Sequence, residues 1–445
     1  MSSVFLFGVI FLAVVCMVIA ISKFHLHPFL VMTVIAIVVG LICGIAPAKV
    51  IVAVKSGFGG ILTSIGIVIL CGTIIGKILE KTGAALTMAN TILKVVGKDK
   101  SVLTMGIMGY ITGIPVFCDS GFVVLSPISR AMSEQSKKSL AVMATALSGG
   151  LYATHCLVPP TPGPIAMAGT LNADLGLTIL VGLAISIPAT LIAILYANKV
   201  ASSIEIPANS EHTLAELEEL YGTLPGAAHS FSPIFLPIIL IALSSLAKFP
   251  SKPLGTGPLV GIINFIGDPV IALLLGVFLA MTLIPSNYRN KTLEWFTEGV
   301  TDSAAILVIT GAGGSFGAIL KMLPIAEATK GLLNTGVGIL VPFVIAMILK
   351  LAMGASTVAM ITTASMMAPL MGTMGFTSPL GRVMVVMAIG AGSMVASHAN
   401  DSYFWVVSQF SDMTTDQAYK CQTGMTAVMG CSVAIILAIL SKVLL

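Results

Sequence analysis

Long apolar runs and short polar breaks alternate along the whole chain. Unbroken runs cover about 3–21, 29–46, 60–79, 174–198, 232–249, 258–285, 302–320, 331–350 and 424–444. A helix needs about 20 such residues to cross a bilayer core of roughly 30 Å, and many of these runs approach or exceed that length. Four further stretches, 101–128, 139–167, 351–379 and 383–408, are also apolar but are cut by Gly and Pro. Backbone that leaves the helix at membrane depth exposes unpaired polar groups, so it needs protein or a cavity around it. The pattern predicts an all-α polytopic membrane protein with discontinuous helices.

Composition removes the soluble alternative. The chain has 445 residues, is 57% apolar and 9% charged, and has a mean hydropathy of +1.06. A soluble domain carries roughly 25% charged residues. The formal charge of +4 does not point to nucleic acid, because the lysines sit mostly between apolar runs. There they act on topology. Seven cysteines, an odd number and mostly inside apolar runs, give neither a disulfide framework nor a metal motif. No cofactor and no metal are expected. Residues 3–21 lack a closing Ala-x-Ala pattern and read as a retained first helix.

Lysine and arginine clusters give an orientation. Lys23, the group Lys94, Lys98 and Lys100, the group Arg130, Lys137 and Lys138, Lys199, and the pair Arg289 and Lys291 share one side if that side is the cytoplasm. The run 101–128 must then enter and leave from the same face, as a re-entrant hairpin, and both termini lie outside. The polar stretch 199–231, with Glu205, Glu211, Glu216, Glu218 and Glu219, reads as a cytoplasmic linker.

The two sides of that linker resemble each other. His27-Pro28 matches Asp268-Pro269, Ser56-Gly57 matches Glu298-Gly299, and Gly76 to Glu80 matches Gly317 to Lys321. Pro127 matches Pro369, and Ala153-Thr154-His155 matches Ala396-Ser397-His398, all at nearly one offset. The expected organisation is a first transmembrane repeat at 1–198 with a hairpin at about 101–128, the linker at 199–231, and a second repeat at 232–445 with a hairpin at about 351–370. Under the charge-derived topology the repeats are inverted. Inverted repeats with broken helices place a solute site near the midplane, where the repeats meet.

Candidate residues lie at the breaks. Asp119 is the one acid between Asp99 and Glu134, and a carboxylate at membrane depth is a functional candidate. Ser120 and Gly121 follow it and offer a hydroxyl and open backbone. Thr154 and His155 precede Val158-Pro159-Pro160-Thr161-Pro162-Gly163-Pro164, a stretch no ordinary helix can absorb. Ser356 and Thr357 follow Gly354. Ser397, His398, Asn400 and Asp401 form the densest polar cluster in the second half's apolar regions. Substrate contacts are expected from Asp119, Ser120, Gly121, Thr154, His155, Thr161, Ser356, Thr357 and Asn400. Proton handling is expected from Asp119, His155, His398 and Asp401. The glycine-rich run 311–317 lacks the Gly-Lys-Ser/Thr ending of a phosphate loop and reads as close helix packing.

These motifs resemble the gluconate permease family, which includes permeases for related sugar acids and D-serine. The resemblance rests on Ala153-Thr154-His155 with Pro159-Pro160 and Pro162-Gly163-Pro164, on Gly354 to Ala359, on His398 to Asp401 with Phe404-Trp405, and on Gly267-Asp268-Pro269 and Gly313 to Gly317. It implies an inverted-repeat ion-transporter fold, a bacterial inner membrane, and proton-coupled uptake of a small organic carboxylate. It also implies a homodimer as a family expectation. One hairpin departs. Gluconate-type members usually carry a Phe-Glu-Val-Gly-Phe-like segment, where this chain has Phe117-Cys118-Asp119-Ser120-Gly121-Phe122. Thr161 also stands where relatives often have histidine. The expected solute is a small hydroxy or sugar acid such as gluconate or glycerate, the shorter acid and added hydroxyl bringing in the smaller glycerate as a candidate. Sodium coupling is the nearest rival; a D-serine or other carboxylate permease, a channel and a membrane enzyme are the alternatives.

Overall fold

The computed structural model describes every residue except 1–2, 23, 25, 98–99, 209–223, 248–254, 256, 324–337, 400 and 445. Among the described residues the chain is helical and contains no strand. The first half runs through α1 (Ser3–Ser22), α2 (Pro28–Ile42), α3 (Pro47–Lys81), α4 (Ala84–Val96), α5 (Ser101–Thr112), α6 (Cys118–Ser136), α7 (Leu140–Leu157), α8 (Pro162–Thr170) and α9 (Leu175–Lys199). The second runs through α10 (Ala227–Ala247), α11 (Pro258–Ile266), α12 (Pro269–Thr282), α13 (Thr292–Lys321), α14 (Leu340–Met353), α15 (Ser356–Met367), α16 (Pro379–Met394), α17 (Ser402–Phe410) and α18 (Gly424–Leu444).

Local chemistry sets many of the starts. Proline at the first helical position has no N–H to leave unpaired, and its φ already suits the helix. Pro28, Pro47, Pro162, Pro269 and Pro379 all sit there. The matched pairs His27-Pro28 and Asp268-Pro269 are the same device twice. His27 Nδ1 accepts the Phe29 N–H at 3.3 Å and Asp268 Oδ1 accepts the Val270 N–H at 3.0 Å.

The inversion follows from one crossing. Helices α3 and α13 occupy equivalent places in the two halves, and they pack along each other in opposite directions. Gly57 lies against Gly314 and Ala318, while Gly299, the counterpart of Gly57, lies against Ile74. Exchanging the two halves maps this contact onto itself, which requires a two-fold axis across the helices. Equivalent elements related by such an axis have opposite senses through the membrane. The same exchange appears where α2 packs on α13 and α12 packs on α3. It recurs where Gly150 of α7 meets the Gly106 carbonyl and Tyr110 N–H of α5, while Gly392 of α16 meets the Phe343 carbonyl and Met347 N–H of α14. The chain is thus a polytopic membrane protein built of two inverted repeats. The glycine-rich segment of α13 lies in these contacts: Gly311 against Phe58, and Gly313 against Ser365 and Ile361.

A methyl group at Gly57 would lie 2.7 Å from the Ala318 Cβ and closer still to the Gly314 carbonyl oxygen, whereas one at Gly59 would meet nothing within 4 Å. Gly57→Ala is therefore expected to destabilise the protein by about 1–3 kcal/mol through overpacking. Gly59→Ala should leave the melting temperature of the purified protein unchanged. Equal melting temperatures for the two variants would refute this reading of the crossing.

Several boundaries differ from the hydropathy pattern. Helix α3 has 35 residues and α13 has 30, so at 1.5 Å per residue both outrun the apolar cores that predict them. Their polar ends are joined by Lys77–Asp302 at 2.9 Å and Lys81–Glu298 at 2.9 Å. Helix α4 has no counterpart among the predicted runs. Helix α10 begins at Ala227, inside the stretch assigned to the linker, of which 209–223 lies outside the described residues. Helices α11 and α12 meet at a 62° bend, where the pattern predicts one unbroken run at 258–285. The largest change concerns 331–350. Its described part belongs to α14, which is 14 residues long and stops at Gly354 with φ +80°. This is the entering arm of the second hairpin, the counterpart of the 12-residue α5. Both are too short to cross about 30 Å of hydrocarbon. The expected hairpin at 351–370 contains its returning arm, α15, and the tip falls at Gly354-Ala355.

Two arginines tie the repeats together at the ends of the short helices. Arg130 of α6 donates to Asp412 Oδ2 at 2.6 Å and to the Phe410 carbonyl at 2.9 Å, just past α17. Arg382 of α16 donates to the Leu171 carbonyl at 3.0 Å, just past α8. Asn172 and Asp412, which turn the chain after those helices, both have positive φ, +50° and +53°.

Candidate functional site

The interruptions of both halves meet in the interior. From the first half come the start of α6, with Asp119 in its first turn, and the end of α7, with Tyr152 and His155. From the second come the end of α14, the start of α15, the irregular residues 395–399 with Asp401, and the start of α17. Ser402, the first residue of α17, donates to Asp119 Oδ1 at 3.4 Å, so two helix N-termini from opposite repeats converge at this point. Helix N-termini present unpaired N–H groups and the positive end of the macrodipole, which suits an anion.

Asp401 caps α17, its Oδ1 accepting the Tyr403 N–H at 3.2 Å. Its Oδ2 accepts from the Ser397 hydroxyl and, at 2.6 Å, from the Lys350 ammonium. Lys350 is fully buried and Asp401 is 5% exposed. The ammonium also donates to the Gly354 carbonyl at the hairpin tip and lies 5.8 Å from the centre of the Tyr152 ring. Lys350 is absent from the sequence-derived site. Its signal is present in the chain, since it is the one charged residue between Lys330 and Arg382. A span that ends at residue 350 makes it look like an interfacial flank rather than a buried group.

The aromatic residues lock this region across the repeats. Tyr152 stacks on Tyr403 with ring centres 5.2 Å apart and on His155 at 6.3 Å. The Tyr152 hydroxyl donates to the Ser393 carbonyl at 3.4 Å and the Tyr403 hydroxyl to the Ser148 carbonyl at 3.2 Å. Trp405 is 40% exposed and takes no part in the stack.

The remaining expected residues fall into two groups. Asp119, Ser120, Thr357 and His398 are half-buried around the meeting point, and Ser356 is buried at the start of α15 near Tyr152 and Cys156. Thr154, Thr161 and Gly121 are engaged locally. Thr154 bonds the Gly150 and Leu151 carbonyls, each at 3.3 Å, and Thr161 bonds the Val158 carbonyl at 2.6 Å and the His155 carbonyl at 3.0 Å. The Gly121 N–H is spent on the Phe117 carbonyl at 2.8 Å, and its missing Cβ makes room for Leu151. Asn400 lies outside the described residues.

The two histidines differ in setting. His155 is inside α7, and its Nδ1 is buried without a hydrogen-bond partner. His398 lies beyond the end of α16, half-buried, with Nε2 at 3.2 Å from the Leu351 carbonyl. Helix α16 stops at Met394, and Ala396 with φ +53° turns the chain away, so His398 lies outside α16 whereas His155 is still inside α7. An open cavity of about 520 Å³ lies elsewhere, past the end of α8, lined by Asn172, Asp174, Thr377 and Arg382 among others. It shares no residue with the Lys350–Asp401 cluster.

Residues 5–444 match the model of a family described as GntP family permease. The chain is 33% identical over 420 residues to a gluconate permease of Zymomonas mobilis, covering 92% of each chain. It is 31% identical over 434 residues to the D-serine transporter DsdX of Escherichia coli K12, covering 96% of each. Among solved structures, the Alcanivorax borkumensis YdaH transporter, described as having an unusual topology, superposes with a TM-score of 0.67 at 14% identity, over 94% of this chain and 98% of that one. That likeness concerns the fold.

Proposed function

Because this chain belongs to the GntP family of permeases, we propose that it is a secondary active carrier that takes up a small hydroxy acid or sugar acid together with protons. It is a multi-pass membrane transporter and not an enzyme. The bacterial inner membrane is its proposed location. A relative there is named an inner membrane permease. Relatives named for gluconate and for D-serine handle molecules that share a carboxylate and a hydroxyl on a short carbon chain.

The observation that carries this reading is the convergence of the α6 and α17 N-termini at Asp119 and Ser402. The two positive helix ends attract the carboxylate. Ser120, Thr357 and Ser402 offer hydroxyls to its hydroxyl groups. Asp119 has no cationic partner among the described residues, so proton uptake there offsets the charge of the incoming anion. His155 offers a spare ring nitrogen to the same cluster. Movement of the hairpins against the α3–α13 scaffold then exposes the site to alternate sides. Glycerate is the preferred solute, because Asp119 and Ser120 suit a shorter molecule than gluconate; D-serine is the second reading.

Purified protein in liposomes, offered glycerate, gluconate and D-serine, tests this. Saturable uptake of one of them that is driven by an inward proton gradient, and accompanied by proton movement, is expected. Uptake without proton movement rejects proton symport, and ionic conductance without saturation indicates a channel. In the same assay His155→Ala is expected to lower uptake by about tenfold, the effect of losing roughly 1.4 kcal/mol. His398→Ala should matter less, because its described hydrogen bond is a single one to the Leu351 carbonyl. Equal losses would sink that ranking.

A further inference from the structure

The cluster around Lys350 has the donor set of a cation site with the cation already bonded to the protein. Carriers of this architecture bind coupling ions with carbonyls at the ends of broken helices and with nearby side-chain oxygens. Here the Gly354 carbonyl comes from the hairpin tip, and Asp401 with Ser397 comes from the unwound segment after α16. The Gly354 carbonyl and Asp401 Oδ2 meet at one buried point that holds the Lys350 ammonium, and the Ser397 hydroxyl braces that same carboxylate oxygen. Tyr152 presents its ring to the same ammonium, as aromatic faces do to cations. A lysine ammonium keeps its three N–H donors on a flexible stem, so it can satisfy oxygens that would otherwise surround a metal ion.

Among the described residues the first half has no such arrangement. In the register set by Gly150 with Tyr110 and Gly392 with Met347, the counterpart of Lys350 is Gly113. The first-half residue at the N-cap position that Asp401 holds is Thr161, whose hydroxyl is spent on local carbonyls. The other ionisable groups around Lys350 are His155 and Cys156 on α7 and, beyond them, Cys118 and Asp119 on α6. His398 flanks the same segment through Leu351. Among them, Asp401 alone is in ion-pair contact with the ammonium.

We propose that Lys350 is a tethered cation. Its ammonium occupies the place between the second hairpin tip and the second helix break that a mobile sodium ion would otherwise fill, and it joins those two segments without needing one. This deepens the proposed carrier function and rests on it, because it says why sodium is not required. It assigns Lys350 a positioning role. The coupling proton remains with the carboxylates and histidines already described.

The test needs no transported solute, so its failure is distinguishable from a wrong substrate or a wrong coupling ion. Lys350→Ala opens a space beside Asp401 that a small free cation can enter. Thermal melting of the purified full chain is followed in methylammonium, sodium or choline chloride at equal ionic strength. Methylammonium or sodium is expected to raise the melting temperature of Lys350→Ala by about 3 °C over choline, as ligand linkage allows when the cation is at roughly 100 times its dissociation constant. Neither should shift the wild type or the double variant Lys350→Ala/Asp401→Asn. Equal shifts in all three proteins, or none in Lys350→Ala, overturn the proposal. If Lys350→Ala cannot be purified in choline but can in methylammonium, that is the same rescue. Failure in every salt while the double variant purifies normally overturns it, as does sodium-dependent melting of the wild type.

Discussion

Asp401→Asn is expected to abolish uptake and to cost about 3–5 kcal/mol of stability, because it leaves Lys350 as a buried charge without a counter-ion. Asparagine keeps a side-chain oxygen that can still cap α17 at the Tyr403 N–H, so the loss reports on charge rather than on capping, a contribution of only about 1 kcal/mol. The ammonium retains the Gly354 carbonyl, one neutral acceptor in place of a carboxylate. Replacing both partners by apolar residues of similar volume, Lys350→Met with Asp401→Leu, is expected to recover much of the stability, since neither desolvated charge remains. It should not recover uptake, because the oxygen cluster at the hairpin tip then has nothing to hold it. Melting temperature and liposome uptake, measured on the same preparations, separate the two effects. A single variant as stable as the wild type, or a double variant that transports, would contradict the assignment.

Asp119→Asn carries the second large effect. The amide is nearly isosteric with the carboxylate and can still accept from Ser402, so packing at the start of α6 should survive. What disappears is the group that can gain a proton beside an incoming anion. Removing one charge-assisted contact of about 1.5–3 kcal/mol is expected to slow proton-driven uptake by on the order of 10- to 100-fold. Counterflow, in which labelled solute exchanges for unlabelled solute without net proton movement, should be affected less. If net uptake keeps its rate and its dependence on the proton gradient, the proton is carried elsewhere, and Asp401 or His155 becomes the next group to examine.

Much of this architecture is visible in the order of residues because membranes punish exceptions. Proline and glycine with polar residues inside apolar runs mark the breaks that the structure shows at Gly113, Val158, Gly354 and Val395, whereas the glycine-rich 311–317 stays helical and serves packing. Asp119 and Asp401 stand out for the same reason. Lys350 does not, because a lysine after a long apolar run also looks like an interfacial anchor. Only the shortness of α14 places it in the interior. The paired histidines match at a constant sequence offset, but α16 unwinds before its histidine and α7 does not. Sequence spacing counts residues, whereas geometry depends on whether those residues rise about 1.5 Å each in a helix or turn away. The hydroxyls of Thr154 and Thr161 are legible as polar groups in apolar surroundings. That they turn back onto nearby carbonyls is not.

The two arginines just past the short helices set how firmly the repeats are tied to each other. Arg130 fastens the chain just past α17 and Arg382 fastens it just past α8, each reaching across from the other repeat. With both fastened, as here, the carrier is latched at either end. A rocking motion that lifts one short helix away would have to release the arginine seated beyond it. The Arg130 catch is not deeply buried: Asp412 is half exposed at its side chain, so that contact is weak and reversible. A contact of that kind, worth about 1 kcal/mol or less, breaks and re-forms readily.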